Sequence, residues 1–242
     1  MSVRISPLRL AAFEQLPKHA RRCVFWEVDP ETACSEYLPD PEFEKEAWLS
    51  MVMLEWGSCG QVASPATGSA EDDDEPCLGY VLYAPPRAVP RAQRFPTGPV
   101  SADAVLLTSM GVEPGQPEGL SSLLIGQVVS ELVRRGVRAL EAFGRTAAAA
   151  ELHTDTQART GVDPELAPAI HALGDCSFDL CMIDADFLLD AGFTVVAPHR
   201  YFPRLRLELD KGLGWKAEVE AALERLLEST LLETAQPVGS SG

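Results

Sequence analysis

Residues 110–125 combine residue types that could bind a phosphorylated ligand. Apolar residues end at Val112, a turn containing Gly119 follows, and a helix is predicted from Leu120. The first amides of a helix have no acceptor within the helix, and the helix dipole adds partial positive charge there. Glycine in the turn lets a ligand approach the backbone closely. The segment is therefore predicted to form an anion site that suits a pyrophosphate.

Two common nucleotide-binding patterns are absent from the chain. It has no G-x-x-x-x-G-K-[ST], so a P-loop would lack its lysine, and no G-x-G-x-x-G, which marks dinucleotide-binding folds. A loop whose glycine and proline residues only start a helix would have the same sequence. The pattern by itself leaves both interpretations open.

An α/β domain with a mixed sheet and helices on both faces is predicted to position this turn. A strand at 102–112, a helix at 120–135 and a strand at 137–143 form a right-handed parallel crossover. Other strands are predicted at 23–28, 61–63, 78–83, 193–196 and 201–209, and other helices at 13–22, 43–56, 184–191 and 215–232.

Helical spacing of apolar residues predicts which face of the two longest internal helices is buried. In helix 120–135 the predicted core stripe is Leu123, Leu124, Val128 and Leu132. In helix 43–56 it is Phe43, Ala47, Met51 and Leu54.

A single domain is predicted over residues 1–210, with flexible insertions at about 64–76 and 145–175. The first insertion consists almost entirely of small, polar and acidic residues and can bury little surface. Residues 211–242 are predicted to form a C-terminal helix and a disordered tail.

The composition restricts the partners. The chain has 242 residues and a formal net charge of −16, which repels phosphate backbones, so no direct contact with nucleic acid is expected. Cationic amines would be weakly attracted. No apolar run is long enough to span a bilayer or to serve as a secretory signal. We therefore expect a cytoplasmic protein without membrane contact, and a homodimer is compatible with the sequence.

Six scattered cysteines are expected to be reduced thiols. Cys176 and Cys181 form the nearest pair, but their spacing is wider than that of a zinc knuckle, so no metal is predicted. Cys59, in W-G-S-C-G, could act as a nucleophile. Since no histidine lies near it in the sequence, a buried small residue is the favoured interpretation.

Residues 116–121 read Q-P-E-G-L-S, between a strand and a long helix. This pattern resembles the Q/R-x-x-G-x-G/A pyrophosphate loop of the GNAT superfamily of acyl-CoA-dependent N-acetyltransferases. Residues 186–193, D-F-L-L-D-A-G-F, resemble the F-Y-x-x-x-G-F segment of that family. The opening segments 23–27, 44–48, 55–60 and 79–81 also resemble bacterial members, so the resemblance spans about residues 23–209 without the insertions.

The resemblance implies a mixed, mostly antiparallel sheet with a splayed central parallel strand pair and helices on both faces. In such folds acetyl-CoA lies in the wedge between the splayed strands, here 104–112 and 137–143. The backbone of Met110 and Val112 would contact the pantetheine arm. The diphosphate would be held by the turn residues Gln116, Pro117, Glu118, Gly119, Leu120, Ser121 and Ser122.

The activity implied by the resemblance is transfer of an acetyl group from acetyl-CoA, as co-substrate and without a metal, to an amine. The amine would belong to a small molecule or a protein and would attack directly in a ternary complex. Candidate catalytic groups are Glu141 on the second splayed strand, Glu27 beside a tryptophan, and Tyr201.

Departures from the family pattern leave alternatives open. Ser121 replaces the usual glycine or alanine of the loop, and Cys181 stands where an asparagine is common. Leu188 stands where many members have the tyrosine that protonates the departing thiolate. One alternative is a non-catalytic acyl-CoA-binding regulatory protein of the same fold. Another is an interaction module that docks a partner through the insertions and the C-terminal helix.

Overall fold

The computed structural model of the protein describes residues 2–29, 40–66, 75–150, 152 and 178–209. The predicted C-terminal helix and most of both insertions lie outside these residues. The described strands are β1 (Val3–Pro7), β2 (Gly60–Pro65), β3 (Gly79–Ala84), β4 (Ala104–Val112), β5 (Ala139–Arg145), β6 (Ile183–Asp184), β7 (Thr194–Ala197) and β8 (Arg204–Glu208). The described α-helices are α1 (Lys18–Arg22), α2 (Pro41–Glu55), α3 (Pro90–Arg94), α4 (Leu120–Arg134), α5 (Phe178–Cys181) and α6 (Ala185–Asp190).

The strands form one mixed sheet in the order β1-β2-β3-β4-β5-β8-β7, with β6 attached to β5. Strands β4 and β5 run parallel, and the short β6 runs parallel to β5. The other neighbours are antiparallel. The predicted sheet, mostly antiparallel with a central parallel pair, is therefore confirmed.

Helices cover both faces of this sheet. On one face Leu124, Val128 and Leu132 of α4 pack into a cluster that also contains Leu188 of α6. On the other face Trp48, Leu49 and Val52 of α2 join a second cluster. Strands β2 and β3 are buried along their whole length because they lie between the two layers.

The buried face of α2 differs from the predicted one. Phe43 is 64% exposed and Leu54 is 89% exposed, whereas Trp48, Leu49 and Val52 are buried. The helix carries two neighbouring apolar stripes, and the sheet contacts the one that contains the large tryptophan ring. In α4 the prediction holds for three of its four residues, since only Leu123 is exposed, at 62%.

Residues 23–28 form a turn rather than the predicted strand. Their apolar side chains pack on a face of the sheet, where the Trp26 ring stacks on Phe143 at 5.0 Å between centroids. The Arg91 guanidinium lies 4.4 Å from the centre of the Phe25 ring and donates a hydrogen bond to the Phe25 carbonyl. A run of buried aromatic residues can pack in a turn as well as in a strand. Hydrophobicity alone therefore predicted the wrong secondary structure here. The edge strand is β1 instead, paired with β2.

The close packing of β5 against β8 and α6 can be tested at a glycine. A Cβ atom on Gly144 would lie 2.7 Å from Leu205 Cδ1 and 3.0 Å from Ala185 Cβ. We expect Gly144→Ala to lower the free energy of unfolding by about 1–3 kcal/mol, since overpacking a rigid core has that cost. Urea denaturation measures this change.

The matched control is Gly126→Ala in α4, where an added Cβ meets nothing within 4 Å. There we expect unfolding to cost about 0.5–1 kcal/mol more, because glycine is a poor helix residue. If both substitutions changed the free energy of unfolding in the same direction, the described packing would be contradicted.

Candidate functional site

The paired part of β4 and β5 is short. Three residue pairs join the two strands, the last being Leu106 with Glu141. Beyond that pair β4 continues to Val112 and β5 to Arg145 without further pairing to each other, although all these residues are described. The strands therefore separate toward their C-terminal ends, which confirms the splayed parallel pair.

A β-bulge marks the point of separation. Leu82 of β3 pairs with Ser109, and its neighbour Tyr83 pairs with Leu107, so Thr108 is an extra residue in β4. A bulge bends its strand and increases the local twist. Because Thr108 directly follows the last stretch that pairs with β5, the bulge accounts for the divergence of β4 from β5.

The edge of β4 beyond the bulge presents backbone groups to the opening. The Glu113 amide donates to the carbonyl of Leu78, the residue before β3. Backbone groups alternate in direction along a strand, so those of Met110 and Val112 point away from β3, toward β5. No hydrogen bond from another described residue reaches them there. Both residues are half-buried, so the opening has a polar edge on its β4 side.

The opposite side of the opening is already paired. The Gly144 amide donates to the Pro203 carbonyl, and Thr146 donates to Tyr201, so this side of β5 faces the chain leading into β8. Strand β6 pairs with Gly144 and Arg145 of β5. Because the edge of β5 toward β8 is occupied, β6 must pair with the opposite edge, which faces β4. An extended ligand in the opening could pair with β4 but not with this part of β5.

The turn after β4 ends in free helix amides. Gly119 is exposed, has a φ of 89° and is the N-cap of α4. The Leu120 amide donates to the Pro117 carbonyl, and Leu123 donates to Gly119. The amides of Ser121 and Ser122 have no acceptor among the described residues, no side chain caps the helix, and its first turn holds no acid. This is the geometry of an anion site.

The chain is similar to several solved structures at low sequence identity. No family model and no curated protein sequence matches the chain. It is similar to the solved structure of the PaiA N-acetyltransferase from Thermoplasma acidophilum in complex with coenzyme A, at 11% identity and a TM-score of 0.47, over 86% of this chain and 99% of the other. It is also similar to an N-acetyltransferase from Staphylococcus aureus Mu50, at 13% identity and 0.44, over 87% and 100%.

A third similar structure is the ribosomal-protein-S18-alanine N-acetyltransferase from Escherichia coli, at 13% identity and a TM-score of 0.42, over 88% and 99% of the two chains. Likenesses this distant say nothing about activity. The strand order, the parallel pair that separates at a bulge, and the long helix that follows decide the architecture. The chain has a GNAT-like fold.

Glu141 does not have the surroundings of a catalytic base in this GNAT-like fold. Its side chain is completely buried, one oxygen accepts from Arg204 at 2.9 Å and the other from Arg206 at 3.1 Å. The Ser101 amide also donates to it, at 3.1 Å. Both carboxylate oxygens are thus occupied by guanidinium groups, so the geometry assigns Glu141 to holding β5 and β8 together.

Glu27 is also committed to structure. One of its oxygens accepts from the Trp26 amide and the other from the Lys45 ammonium, and both side chains of this ion pair are 2% exposed. The pair joins the turn at residues 23–28 to α2. The structural interpretation of Glu27 as an ion-pair partner is thus favoured over the general base.

Tyr201 and Leu188 both lie in the core. Tyr201 is 3% exposed, with its ring beside His199 and Phe202. Leu188 is fully buried against the cluster under α4, so no hydroxyl is present where the family's tyrosine would act. Neither residue is brought to the β4 edge by a contact of the described structure.

The sequence reasoning missed Tyr80. Its ring lies over Gly111, where an added Cβ would be 2.7 Å from a ring carbon and 3.3 Å from the hydroxyl oxygen. The phenol therefore packs against the face of β4 at Gly111, the residue between Met110 and Val112, and Tyr80 is 4% exposed. Burial raises the pKa of Tyr80 above its usual range, and the Ser109 hydroxyl beside it partly opposes that rise. The phenol is therefore protonated near pH 7.

Two hydroxyls also missed by sequence reasoning flank the bulge. The Ser109 hydroxyl lies beside the Tyr80 phenol, whereas the buried Thr108 hydroxyl has no hydrogen-bond partner among the described residues. Buried polar groups are normally paired, so the Thr108 hydroxyl has unused capacity for a ligand or a water. The signal in the sequence was T-S inside an apolar strand.

The cysteines differ from expectation in one case. Burial raises the pKa of Cys59 to about 12, so it is a protonated thiol, in agreement with the buried, non-nucleophilic interpretation. Cys181, by contrast, is disulfide-bonded, although all six cysteines were expected to be reduced. Cys176 lies outside the described residues.

No described helix is long and apolar enough to cross a membrane.

The buried ion pair of Glu27 and Lys45 yields a stability test. We expect Lys45→Met to lower the free energy of unfolding by about 3–5 kcal/mol, because it leaves a buried carboxylate unpaired. Adding Glu27→Gln should restore part of the loss, since the uncompensated charge is then gone. Urea denaturation of the single and double variants measures both effects.

The control for this experiment is Arg134→Ala, which breaks an ion pair with Glu131 whose arginine side chain is 67% exposed. It should change stability by less than about 1 kcal/mol. Equal losses from Lys45→Met and Arg134→Ala would show that the Glu27–Lys45 pair is not buried.

Proposed function

We propose that the protein is an N-acetyltransferase of the GNAT superfamily that transfers an acetyl group from acetyl-CoA to an amine by direct attack in a ternary complex. One observation carries the proposal: two sets of backbone groups that no described residue pairs with follow each other along the chain. The first is the β4 edge at Met110 and Val112, and the second is the amides of Ser121 and Ser122. An extended ligand whose arm carries amide groups and whose far end carries a diphosphate could bind the β4 edge and the helix amides together.

The binding roles follow from this order. The backbone of Met110 and Val112 pairs with the amide groups of the pantetheine arm as an added strand would. Gln116–Ser122 surrounds the diphosphate, and the left-handed Gly119 starts the helix whose amides point at it. The turn contains no lysine or arginine. Amides and the helix dipole therefore hold the anion on an otherwise acidic protein.

The chemical step needs few protein groups. The cationic amine first loses one proton to solvent. The neutral nitrogen then attacks the thioester carbon, the C–S bond breaks, and a second amine proton passes to solvent. A backbone amide of the β4 edge stabilises the oxyanion. The Tyr80 phenol gives its proton to the departing thiolate and regains one from solvent. Tyr80 thus acts as the general acid, a role that Leu188 cannot take.

The acceptor is proposed to be a cationic amine of a small molecule or a protein. The formal charge of −16 attracts such molecules over a distance of about a Debye length.

A second candidate function is non-catalytic acyl-CoA binding. It is favoured by the full burial of Leu188 and by the ion pairs that occupy Glu27 and Glu141. Calorimetry with acetyl-CoA, followed by an assay of free-thiol release with a panel of amines, separates the two functions. Binding without amine-dependent release would support the second function, and absence of binding would exclude both.

The anion turn is tested by Ser122→Pro. Proline is tolerated in the first turn of a helix but removes the amide. We expect the affinity for acetyl-CoA to fall by about 10–100-fold, the value of one hydrogen bond to a charged group, measured by calorimetry. Ser122→Ala keeps the amide and should bind as the unaltered protein does. Equal affinity of the two variants would rule out the proposed turn.

The acid is tested by Tyr80→Phe. We expect kcat to fall by about 100-fold or more while the affinity for acetyl-CoA is unchanged, since only proton transfer is lost. Tyr83→Phe removes a buried hydroxyl from the opposite face of β3 and controls for structural damage. Similar kcat values for the two variants would remove Tyr80 from the mechanism.

A further inference from the structure

Three potential metal ligands converge in a cluster to which the proposed acetyl transfer assigns no role. His19 lies in α1, Cys23 follows that helix directly, and Cys181 ends α5, 158 residues further along the chain. Their ligand atoms all lie within 4.8 Å of one another. The Sγ atoms of Cys23 and Cys181 are 3.6 Å apart, and Cys181 Sγ is 3.9 Å from His19 Nε2.

These distances suit a tetrahedral zinc ion. With Zn–S bonds of about 2.3 Å and Zn–N bonds of about 2.0–2.1 Å, two tetrahedral sulfur ligands lie about 3.8 Å apart and a sulfur and a nitrogen about 3.6 Å apart. The observed Sγ–Sγ and Sγ–Nε2 separations therefore need little adjustment. Two thiolates and an imidazole form a ligand set typical of zinc.

The local structure brings the ligands together. His19 and Cys23 are four residues apart and meet on one side of the helical turn. The backbone carbonyl of Leu180 accepts a hydrogen bond from the imidazole, as an outer partner does in many zinc sites.

We propose that reduced protein binds one Zn²⁺ ion through His19, Cys23 and Cys181, and that the disulfide at Cys181 switches this site off. In the structure Cys181 is disulfide-bonded, whereas Cys23 is a free thiol. A thiol or phosphine reductant supplies two electrons, and two protons complete the two thiols formed. Zinc then displaces the thiol protons of Cys23 and Cys181 and ties α1 to the segment before β6. The fourth position is left to water.

Zinc content of the protein measures this site in both redox states. Protein reduced with a phosphine, loaded with ZnCl₂ and desalted should retain one zinc per chain, by elemental analysis. Non-reduced protein treated in the same way should retain none. Replacing zinc with Co²⁺ should add the charge-transfer absorption of thiolate ligands. A reduced protein that retains no zinc, or equal retention in both states, would overturn the proposal.

Substitutions assign the ligands. Loss of an outer partner of a zinc ligand weakens binding by about 10–100-fold. Because His19→Ala, Cys23→Ser and Cys181→Ser each remove a direct ligand, each should weaken zinc binding by more than this. Cys77→Ala removes a thiol outside the cluster and should keep the unaltered affinity. Zinc affinity that survives all three ligand substitutions would refute the assignment.

Three measurements on the same samples distinguish loss of a metal ligand from loss of folding and from loss of acetyl-CoA binding. Circular dichroism shows whether each variant is folded, and the cobalt spectrum of Cys23→Ser should lose thiolate intensity even if some metal remains. Acetyl-CoA affinity, measured in parallel, depends on the turn before α4 and not on these three residues. Failure of the zinc site is therefore distinguishable from failure of the proposed acetyltransferase function.

Discussion

The separation of β4 from β5 is the constraint on which the rest of the site depends. Parallel neighbours normally pair along their full length, and here pairing stops after three residue pairs because Thr108 adds one residue to β4. The bulge leaves the backbone of Met110 and Val112 unpaired and places the start of α4 beyond the end of the strand. Without it, the same sequence would have a continuous sheet and no edge for a ligand.

The described core uses buried charge to hold these elements in place. Glu141 joins β5 to β8 through Arg204 and Arg206, and the Glu27–Lys45 pair joins a turn to α2. From the sequence, Glu141 was a candidate because it lies on the second splayed strand, and Glu27 because it lies beside a tryptophan. Their partners are distant in the chain, so no single-sequence pattern could show that they are occupied.

The turn was the most predictable part of the site. Glycine, the absence of a capping side chain and the following apolar periodicity are local features, and local features fix a helix N-terminus. The sheet order followed from the crossover and from the family resemblance. The Thr108 bulge, the buried stripe of α2 and the position of Tyr80 depend on cross-strand register and tertiary packing, which the sequence alone does not display.

The pairing of β6 with β5 has a thermodynamic consequence for any ligand in the opening. The β5 edge is paired within the chain, and no described residue pairs with the β4 edge at Met110 and Val112. A ligand that binds β4 therefore displaces no described strand and meets an edge that is already fixed in position. Such preorganisation lowers the entropy lost on association and makes recognition one-sided, through a single strand.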